Sequence, residues 1–488
     1  MENWRLKERD LKKYPHFDPI ISIEEAEALA TDPERVAKHA FFPLMRYVEG
    51  WNRFAKLGQK GEAKERPIRY AARRDAYIYQ RYREILSSAY ERELTALGLS
   101  DNIIAYRRIP SGSGNGGKCN IHFAFDAFQR IRQLDNCNVI ALDISKYYES
   151  LDHSRIKEIW CRLIKSARLP RDHFQVFKSI TNYSYVEKQE AYARLGYFGE
   201  KRKTNSGKTI HGYLTPYNET PKHLCKGYVF REKLAGAGRD RSIIHKNYLT
   251  YGIPQGAPIS DVIANFYLIE FDFEVSELAK KMGGYYYRYS DDIILIVPRM
   301  HDDALALTDD IRLLIKQHGA KLEIKEKKSS VFHYYKSGKR QFFSLVKGEK
   351  GKNGIEYLGF RYDGNYIYLR DSTLSNLYRK IVRAVRHSSE INARRFPNKG
   401  ENEILESINV EEITKLFGKV ERFDEKSENY RSWTFWTYAR RAREIMGDLG
   451  KPILHQVKSY NDFIERRAKL EAAHAVRRRE GRKQSVLP

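Results

Sequence analysis

The chain has 488 residues, with 88 Lys or Arg against 63 Asp or Glu, so its formal net charge is +25. This length exceeds one compact domain and predicts about two or three. The charge favours a polyanionic partner, because cations that neutralise phosphates release condensed counterions. The cysteines lack the paired spacing of a zinc site or a disulfide framework, which suits a reducing cytoplasm. They are Cys119, Cys137, Cys161 and Cys225.

The amino terminus is charged where a secretory signal would be apolar. No run in the sequence approaches the ~20 apolar residues of a membrane span. We therefore expect a cytoplasmic protein without a membrane partner. The sequence also holds 34 tyrosines, most of which we expect in the core, while others suit stacking on unpaired bases.

Residues 1–60 are predicted to form a helical extension, with one helix over residues 23–29, and they carry no recognisable motif. A further helix is predicted over residues 73–90, because apolar side chains recur there at helical spacing and indicate a core face. These side chains are Ile78, Tyr82, Ile85 and Ala89.

Residues 112–117 are rich in glycine and predict a flexible loop. With Lys118 the loop could cradle a phosphate, but it lacks the Gly-Lys-Ser/Thr ending of a P-loop. A helix is predicted after it. The apolar side of that helix consists of Phe123, Ala127, Ile131 and Leu134.

A short apolar run over residues 139–142 ends abruptly in Asp143, which predicts a buried strand with a carboxylate at its carboxyl end. A basic insertion is predicted at about residues 185–245. Within it, residues 201–208 form either a solvated segment or an arm that contacts RNA.

Glycines and prolines punctuate residues 251–260 and predict a bent loop that can approach a ligand closely and then begin a helix. A plain connection between loop and helix is the alternative.

Residues 284–297 place Asp291 and Asp292 between a Tyr-rich run and an aliphatic run, which predicts a β-hairpin with an acidic tip. Adjacent carboxylates repel each other and lose hydration on burial, so they are tolerated best beside cations. Ordinary turn chemistry is the alternative. Together with Asp143, these acids could hold two Mg²⁺ ions, which lie about 3.5–4 Å apart in such sites.

Beyond Gly364 the pattern is mostly helical, with interruptions near residues 397–400 and 447–452. The last 25 residues hold eight Lys or Arg against three Glu. We expect this tail to fray when no nucleic acid is bound.

The order of these segments resembles the palm of a reverse transcriptase: a strand-borne Asp with an aromatic pair, then Pro-Gln-Gly, then Tyr-x-Asp-Asp. Residues 322–329 and 357–360 are similar to the family's next two segments, and residues 64–67 resemble the basic start of its fingers. The resemblance covers about residues 61–365. It implies an α+β right-hand polymerase with fingers, a palm whose antiparallel sheet packs on helices, and a helical thumb-like domain at residues 366–488.

The resemblance also implies roles for individual residues. Asp143, Asp291 and Asp292 would be catalytic and would bind two Mg²⁺ ions together with the backbone carbonyl of Ile144. The residues implied to contact the incoming dNTP are Tyr148, Gln255, Gly256, Arg66, Arg69 and Lys328. Those expected to contact nucleic acid are Lys118, Arg107, Arg108, Arg440 and Arg441.

Tyr148 stands five positions after Asp143, where reverse transcriptases carry an aromatic residue that collides with a ribose 2′-hydroxyl. The resemblance therefore implies deoxynucleotide incorporation. The alternative is that the ring only packs beneath the sheet.

Within the family, group II intron proteins usually carry Ser-Pro after the Gln-Gly loop, but here Asp261 follows Ser260, which disfavours an intron maturase. The Val-Thr-Gly typical of retron enzymes is missing from the sequence. Diversity-generating enzymes usually alter the Gln-Gly loop, which is intact here. The remaining resemblance is to bacterial defence-associated reverse transcriptases of the abortive-infection and unknown groups. The segments consistent with it are residues 66–79, 105–108 and 435–442.

The implied function is RNA-directed DNA synthesis by two-metal-ion nucleotidyl transfer, on a dedicated non-coding RNA in antiphage defence. The implied partners are an RNA template, a DNA product and dNTPs, and a homo-oligomer is compatible with the sequence. Two alternatives stay open: untemplated or protein-primed DNA synthesis by the same palm, and an RNA-binding scaffold with vestigial polymerase activity.

Overall fold

The computed structural model describes residues 4–52, 63–111, 117–202, 209–349, 351–417 and 435–484. The strands are β1 (Leu44–Asn52), β2 (Ala63–Tyr70), β3 (Cys137–Asp143), β4 (Ser184–Glu187), β5 (Phe198–Arg202), β6 (Thr209–Tyr213), β7 (His245–Lys246), β8 (Tyr285–Tyr289), β9 (Asp292–Val297), β10 (Ser330–Ser337), β11 (Arg340–Lys347), β12 (Ile355–Tyr357), β13 (Phe360–Tyr362) and β14 (Ile367–Leu369).

The α-helices are α1 (Ile23–Thr31), α2 (Pro33–Ala37), α3 (Arg73–Ala96), α4 (Asn120–Gln133), α5 (Tyr147–Ser150), α6 (His153–Leu163), α7 (Arg171–Thr181), α8 (Lys188–Arg194), α9 (Gly227–Lys233), α10 (Ser260–Tyr267), α11 (Ile269–Lys281), α12 (His301–Gln317), α13 (Asp371–Arg395), α14 (Glu401–Glu406), α15 (Val410–Phe417), α16 (Phe435–Met446), α17 (Lys451–Gln456) and α18 (Tyr460–Gln484). A short 3-10 helix, Glu326–Lys328, precedes β10. No helix in the described ranges combines the length and apolarity that crossing a bilayer requires.

The central sheet has five antiparallel strands in the order β11-β10-β3-β9-β8. Its middle strand is almost entirely apolar because cores cover both faces. Ile140 and Leu142 of β3 point into one core, and Cys137 and Val139 point into another. This confirms the predicted α+β fold, with the strand that ends in Asp143 at the centre.

A second sheet, in the order β2-β1-β4-β7, contradicts the prediction that residues 1–60 are helical. Residues 23–29 do lie in α1, but β1 pairs antiparallel with β2 from Met45 to Asn52. The β-branched and aromatic side chains of β1 favour a strand. Pairing with β2 satisfies the backbone hydrogen bonds on one edge of that strand. A boundary at residue 60 therefore separates two strands that pair with each other.

The predicted basic insertion, about residues 185–245, is integrated into this second sheet. β4 runs parallel to β1, and β7 pairs with β4. Apolar side chains of the insertion form a small core together with Phe17 and Met45. Residues 203–208, the last six of the eight residues of the predicted segment 201–208, lie outside the described residues.

The carboxyl-terminal part is helical, as predicted, but it is not one separate unit. α13, α14, α15 and α18 share a core of their own, whereas buried side chains of α16 and α17 pack into the core beneath the central sheet. The boundary at residue 365 also cuts the small β12-β13-β14 sheet. Ala472, Ala475 and Val476 of α18 are buried, so much of the basic tail that we expected to fray is a packed helix.

Candidate active site

Three acids that are distant in the sequence meet at one end of the central sheet. The antiparallel register of β3 and β9 places Asp143 directly opposite Asp292. The amide of Ile144 donates a hydrogen bond to the carbonyl of Asp291, with 3.0 Å between nitrogen and oxygen. Strand pairing alone therefore assembles the predicted acidic cluster.

The acidic tip is a tight turn between Tyr289 and Asp292, which are cross-strand partners. Ser290 has a φ of 59°, in the left-handed region that a two-residue hairpin turn requires at its first position. A non-glycine residue in this region costs free energy, and such strain is common at functional sites.

A buried ion pair that was not predicted from the sequence supports this turn. The guanidinium of Arg288 donates to both carboxylate oxygens of Asp272, at 2.7 and 2.6 Å, and neither side chain is exposed. Arg288 also donates to the carbonyl of Ser290 at 3.1 Å, and the hydroxyl of Tyr286 donates to Asp272 at 2.6 Å. The alternation of β8, which places Tyr286 and Arg288 on one face, was the available sequence signal.

The surroundings raise the pKa of both acids at the tip. Burial is the main cause of the raised pKa of Asp291; the negative charge of Asp143 adds to it, and Arg66 and Lys328 oppose it. The pKa of Asp292 rises from 3.8 to about 7 through desolvation by the surrounding protein and repulsion from Asp291 and Asp143. The carboxylates therefore lack sufficient positive charge nearby.

Replacing Asp292 by Asn is expected to stabilise the chelator-treated protein above pH 7. An acid with a raised pKa binds its proton more tightly in the folded state, so its contribution to stability is lost as pH rises from about 4 to 7. Because part of Asp292 stays in contact with solvent, which screens its charge, we expect a gain of about 1 kcal/mol or less. Urea unfolding between pH 4 and 8 measures it, and a gain that does not change with pH would contradict the pKa shift.

The acids fit a divalent cation by their chemistry, since Mg²⁺ prefers carboxylate oxygens. In the structure the Lys328 ammonium contacts the carboxylate of Asp143 and supplies part of the missing positive charge. Among the described residues, no three acidic, histidine or cysteine side chains already converge as a set of metal ligands. Binding would therefore require the carboxylates to reorient and Lys328 to release Asp143.

The Pro-Gln-Gly loop lies against the edge of β2. The amide of Arg69 donates to the carbonyl of Gln255 at 2.8 Å. Gly256 has a φ of 113°, and a Cβ there would lie 2.8 Å from the carbonyl oxygen of Arg69. Only glycine fits this close approach. The amide of Ile253 donates to the carbonyl of Tyr148 at 2.8 Å, which joins the loop to the segment that follows Asp143.

The two arginines predicted to hold the triphosphate occupy different environments. Arg66 is exposed and close enough to Asp291 to lower its pKa. Arg69 is buried, and its guanidinium lies over the rings of Tyr183 and Tyr185, 5.5 and 5.4 Å from their centroids. Arg66 is therefore better placed than Arg69 to meet a ligand at the acids.

Tyr148 is half-buried, and its hydroxyl lies 3.3 Å from that of Tyr106. Tyr106 is exposed, has a φ of 58°, and lies 6.2 Å from Tyr289 between ring centroids. Arg83 donates to the carbonyl of Tyr106 and grips Asp261 through both carboxylate oxygens. No individual role was predicted for Tyr106, because only the fold brings it to Tyr148.

A cavity of about 440 Å³ adjoins the acidic hairpin, and the side chains of Tyr106, Lys118 and Tyr289 help to line it. Lys118 forms an ion pair with Asp126 at 2.8 Å. Arg107 is turned inward, where its guanidinium donates to Glu91 at 2.7 and 2.6 Å and to the carbonyl of Ser100. Arg107 thus braces the chain rather than presenting its charge.

The remaining predicted nucleic-acid contacts lie at or near the surface. Arg108 is exposed. On α16, Arg440 is exposed and lies 3.6 Å from Glu444, whereas Arg441 is half-buried. These positions permit contact with a phosphate backbone, and the contact stays a prediction.

Comparison with known proteins gives a family match over part of the chain. A family model described as reverse transcriptase (RNA-dependent DNA polymerase) matches residues 215–362, a range that includes the Pro-Gln-Gly loop and both acids of the hairpin but not Asp143. No curated protein matches the sequence.

Among solved structures, the chain is similar to apo telomerase from Candida tropicalis, with 11% identity, a TM-score of 0.36, and coverage of 93% of this chain and 67% of that one. The same organism's telomerase in complex with a TWJ fragment of telomeric RNA is 12% identical, with a TM-score of 0.36 and coverage of 94% of this chain and 63% of that one. Telomerase from Candida albicans in complex with a TWJ fragment of telomeric RNA is 12% identical, with a TM-score of 0.34 and coverage of 91% of this chain and 62% of that one. The chain spans 58% of the telomerase truncated from its C-terminal domain.

Proposed function

We propose that this chain, in which residues 215–362 match a reverse transcriptase family model, is an RNA-directed DNA polymerase, a nucleotidyltransferase. We further propose that Asp143, Asp291 and Asp292 carry its chemistry. The observation that supports this most strongly is the pairing of Asp143 with Asp292 across β3 and β9. It joins the matched residues to an acid that lies outside the matched range.

We propose Mg²⁺ as the cofactor, two ions per site, held by these three carboxylates and the backbone carbonyl of Ile144. When bound, such ions lower the pKa of the attacking hydroxyl and neutralise the leaving pyrophosphate. The protein needs no nucleophile of its own. Its residues instead orient the primer end and the dNTP, and the desolvated acids favour whatever cation replaces Lys328.

The dNTP would lie between the acids and the Pro-Gln-Gly loop. Gln255 and Gly256 would contact it through the loop that abuts β2, and Arg66 would bind its triphosphate. Lys328 would move from Asp143 toward the pyrophosphate. Arg69 would have to leave its two tyrosine rings to take part, so we assign it a positioning role at the loop.

Replacing Tyr148 by Ala is expected to admit ribonucleotides. Tyr148 is anchored by its backbone to the Pro-Gln-Gly loop and by its hydroxyl to Tyr106, so its ring is held where a sugar would pass. We expect the preference for dNTP over rNTP to fall about tenfold or more, equal to about 1.4 kcal/mol. The ratio of kcat/KM for dGTP and GTP measures it. Unchanged discrimination would mean that the ring only packs under the sheet.

We further propose that the template is a dedicated non-coding RNA and that the enzyme acts in antiphage defence in the cytoplasm. The support is the resemblance of residues 66–79, 105–108 and 435–442 to the defence-associated branch, and the net charge of +25. Sequencing the RNA that co-purifies with the full chain tests this. One discrete small RNA is expected, and bulk cellular RNA would favour the scaffold alternative.

A further inference from the structure

A lysine on the insertion sits among four tyrosine rings. The Lys188 ammonium, at the start of α8, lies 5.9, 5.5, 5.9 and 5.4 Å from the ring centroids of Tyr47, Tyr192, Tyr213 and Tyr217. These distances are within the ~6 Å range of cation–π attraction. We call these four rings and Lys188 the tyrosine cage.

Within the described residues, no carboxylate forms an ion pair with Lys188. The two nearest acids in the sequence have other partners. Glu187 pairs with Arg46, and Glu190 lies 3.9 Å from Arg194. A second cation, Lys222, lies 5.4 Å from the ring centroid of Tyr217. Burial lowers the pKa of Lys188, as expected for an ammonium that lacks an anion.

The cage combines a rigid base with open rings. Tyr192 is fully buried in the insertion's core, and its ring makes an edge contact with Tyr213 at 5.8 Å between centroids. The other rings face solvent: Tyr47 is 37% exposed, Tyr213 43% and Tyr217 54%. Three accessible aromatic surfaces therefore surround Lys188, for which the described part of the chain supplies no anionic partner.

The cage lies on the other side of the second sheet from Arg69, a predicted dNTP contact. Arg46 and Arg69 are cross-strand partners whose guanidinium groups meet the ring of Tyr185. Tyr47 follows Arg46 on β1, and consecutive strand residues point to opposite faces. The cage is thus separate from the residues that contact Arg69.

We propose that the tyrosine cage binds unpaired bases of a single-stranded RNA, whose phosphates meet Lys188 and Lys222. Aromatic side chains stack on bases of any sequence, and lysines track the backbone. The assignment rests on the proposed function only for the choice of RNA as the strand. A duplex, whose bases are already stacked, would leave the rings unused.

Lysine footprinting on the full chain tests the site directly. The protein is acylated briefly at pH 8, with and without a saturating unstructured 12-nucleotide RNA, and modification is quantified by mass spectrometry. Lys188 and Lys222 are expected to be protected at least about fivefold, while Lys316, exposed on α12, stays unchanged. Equal acylation with and without RNA would overturn the proposal, as would equal protection by duplex RNA or by polyglutamate.

Matched variants give a second measurement. Tyr217→Leu and Lys188→Met are each expected to weaken binding of the same RNA about tenfold by fluorescence anisotropy. The control is Tyr248→Leu, which removes a ring that is 85% exposed and outside the cage. Equal affinities for the cage variants and the control would overturn the proposal, once thermal unfolding shows that all are folded.

Footprinting is also done on the Asp291→Asn variant, in which we expect Lys188 to be protected although incorporation is lost. RNA binding at the cage and the proposed chemistry can therefore fail separately. Protection of Lys188 without primer extension by the wild type would leave the cage standing and refute the proposed catalytic assignment. Extension without protection would refute the cage alone.

Discussion

Replacing Asp291 by Asn is expected to lower Mg²⁺-dependent nucleotide incorporation by at least about a thousandfold, equal to about 4 kcal/mol. The substitution keeps the shape of the side chain and removes one of three charges that meet at the end of the central sheet. It also removes a desolvated, repelled carboxylate, so folding should not suffer. Single-turnover primer extension on an RNA template measures the loss.

The control for this prediction is Asp302→Asn, an equivalent change at an exposed position in the first turn of α12. We expect it to leave incorporation unchanged. Thermal unfolding and RNA affinity of both variants should match the wild type. An Asp291→Asn enzyme with near-normal synthesis would refute the assignment of the acids.

Replacing Asp272 by Asn is expected to destabilise the protein by about 3–5 kcal/mol. The change leaves Arg288 buried with an uncompensated charge and weakens the group that holds the carbonyl of Ser290. Loss of the charge also affects the hydrogen bond from Tyr286. Urea unfolding followed by circular dichroism measures the change.

The matched control is Glu277→Gln, which removes the acid of an exposed ion pair with Lys280 on the same helix, α11. Exposed pairs contribute about 0–1 kcal/mol, so this variant should stay close to the wild type. Equal losses for the two variants would show that the Asp272–Arg288 pair does not support the turn. Because that pair lies under the acidic tip, we also expect Asp272→Asn to reduce incorporation at temperatures where it remains folded.

The sequence carried enough information for the centre of the site. The apolar run before Asp143 predicted a strand, and the Tyr-rich and aliphatic runs around Asp291 and Asp292 predicted a hairpin; both are present. The glycines of residues 251–260 predicted a bent loop able to approach a ligand; the loop is present, and the close approach that the structure shows is that of Gly256 to the backbone of Arg69. The strand and the hairpin could be predicted because they depend on local patterns, namely a continuous apolar run and runs of residues that favour strands.

Features that depend on contacts between distant segments were not predicted. The pairing of β1 with β2 and the packing of α16 on the palm core overturned the boundaries at residues 60 and 365. The resemblance implied that Arg107 binds nucleic acid, but its guanidinium pairs with Glu91 of α3. The burial of Arg288 could not be predicted, because a buried arginine needs an acidic partner and only the fold identifies Asp272 as that partner.

The most direct test of the central claim is templated extension by the wild-type protein. A primed RNA of defined sequence is supplied with one labelled dNTP at a time, with Mg²⁺ or with a chelator. We predict that only the dNTP complementary to the next template base is added, and only with Mg²⁺. Addition that ignores the template base, or no addition by folded protein that binds the primed RNA, would contradict the account.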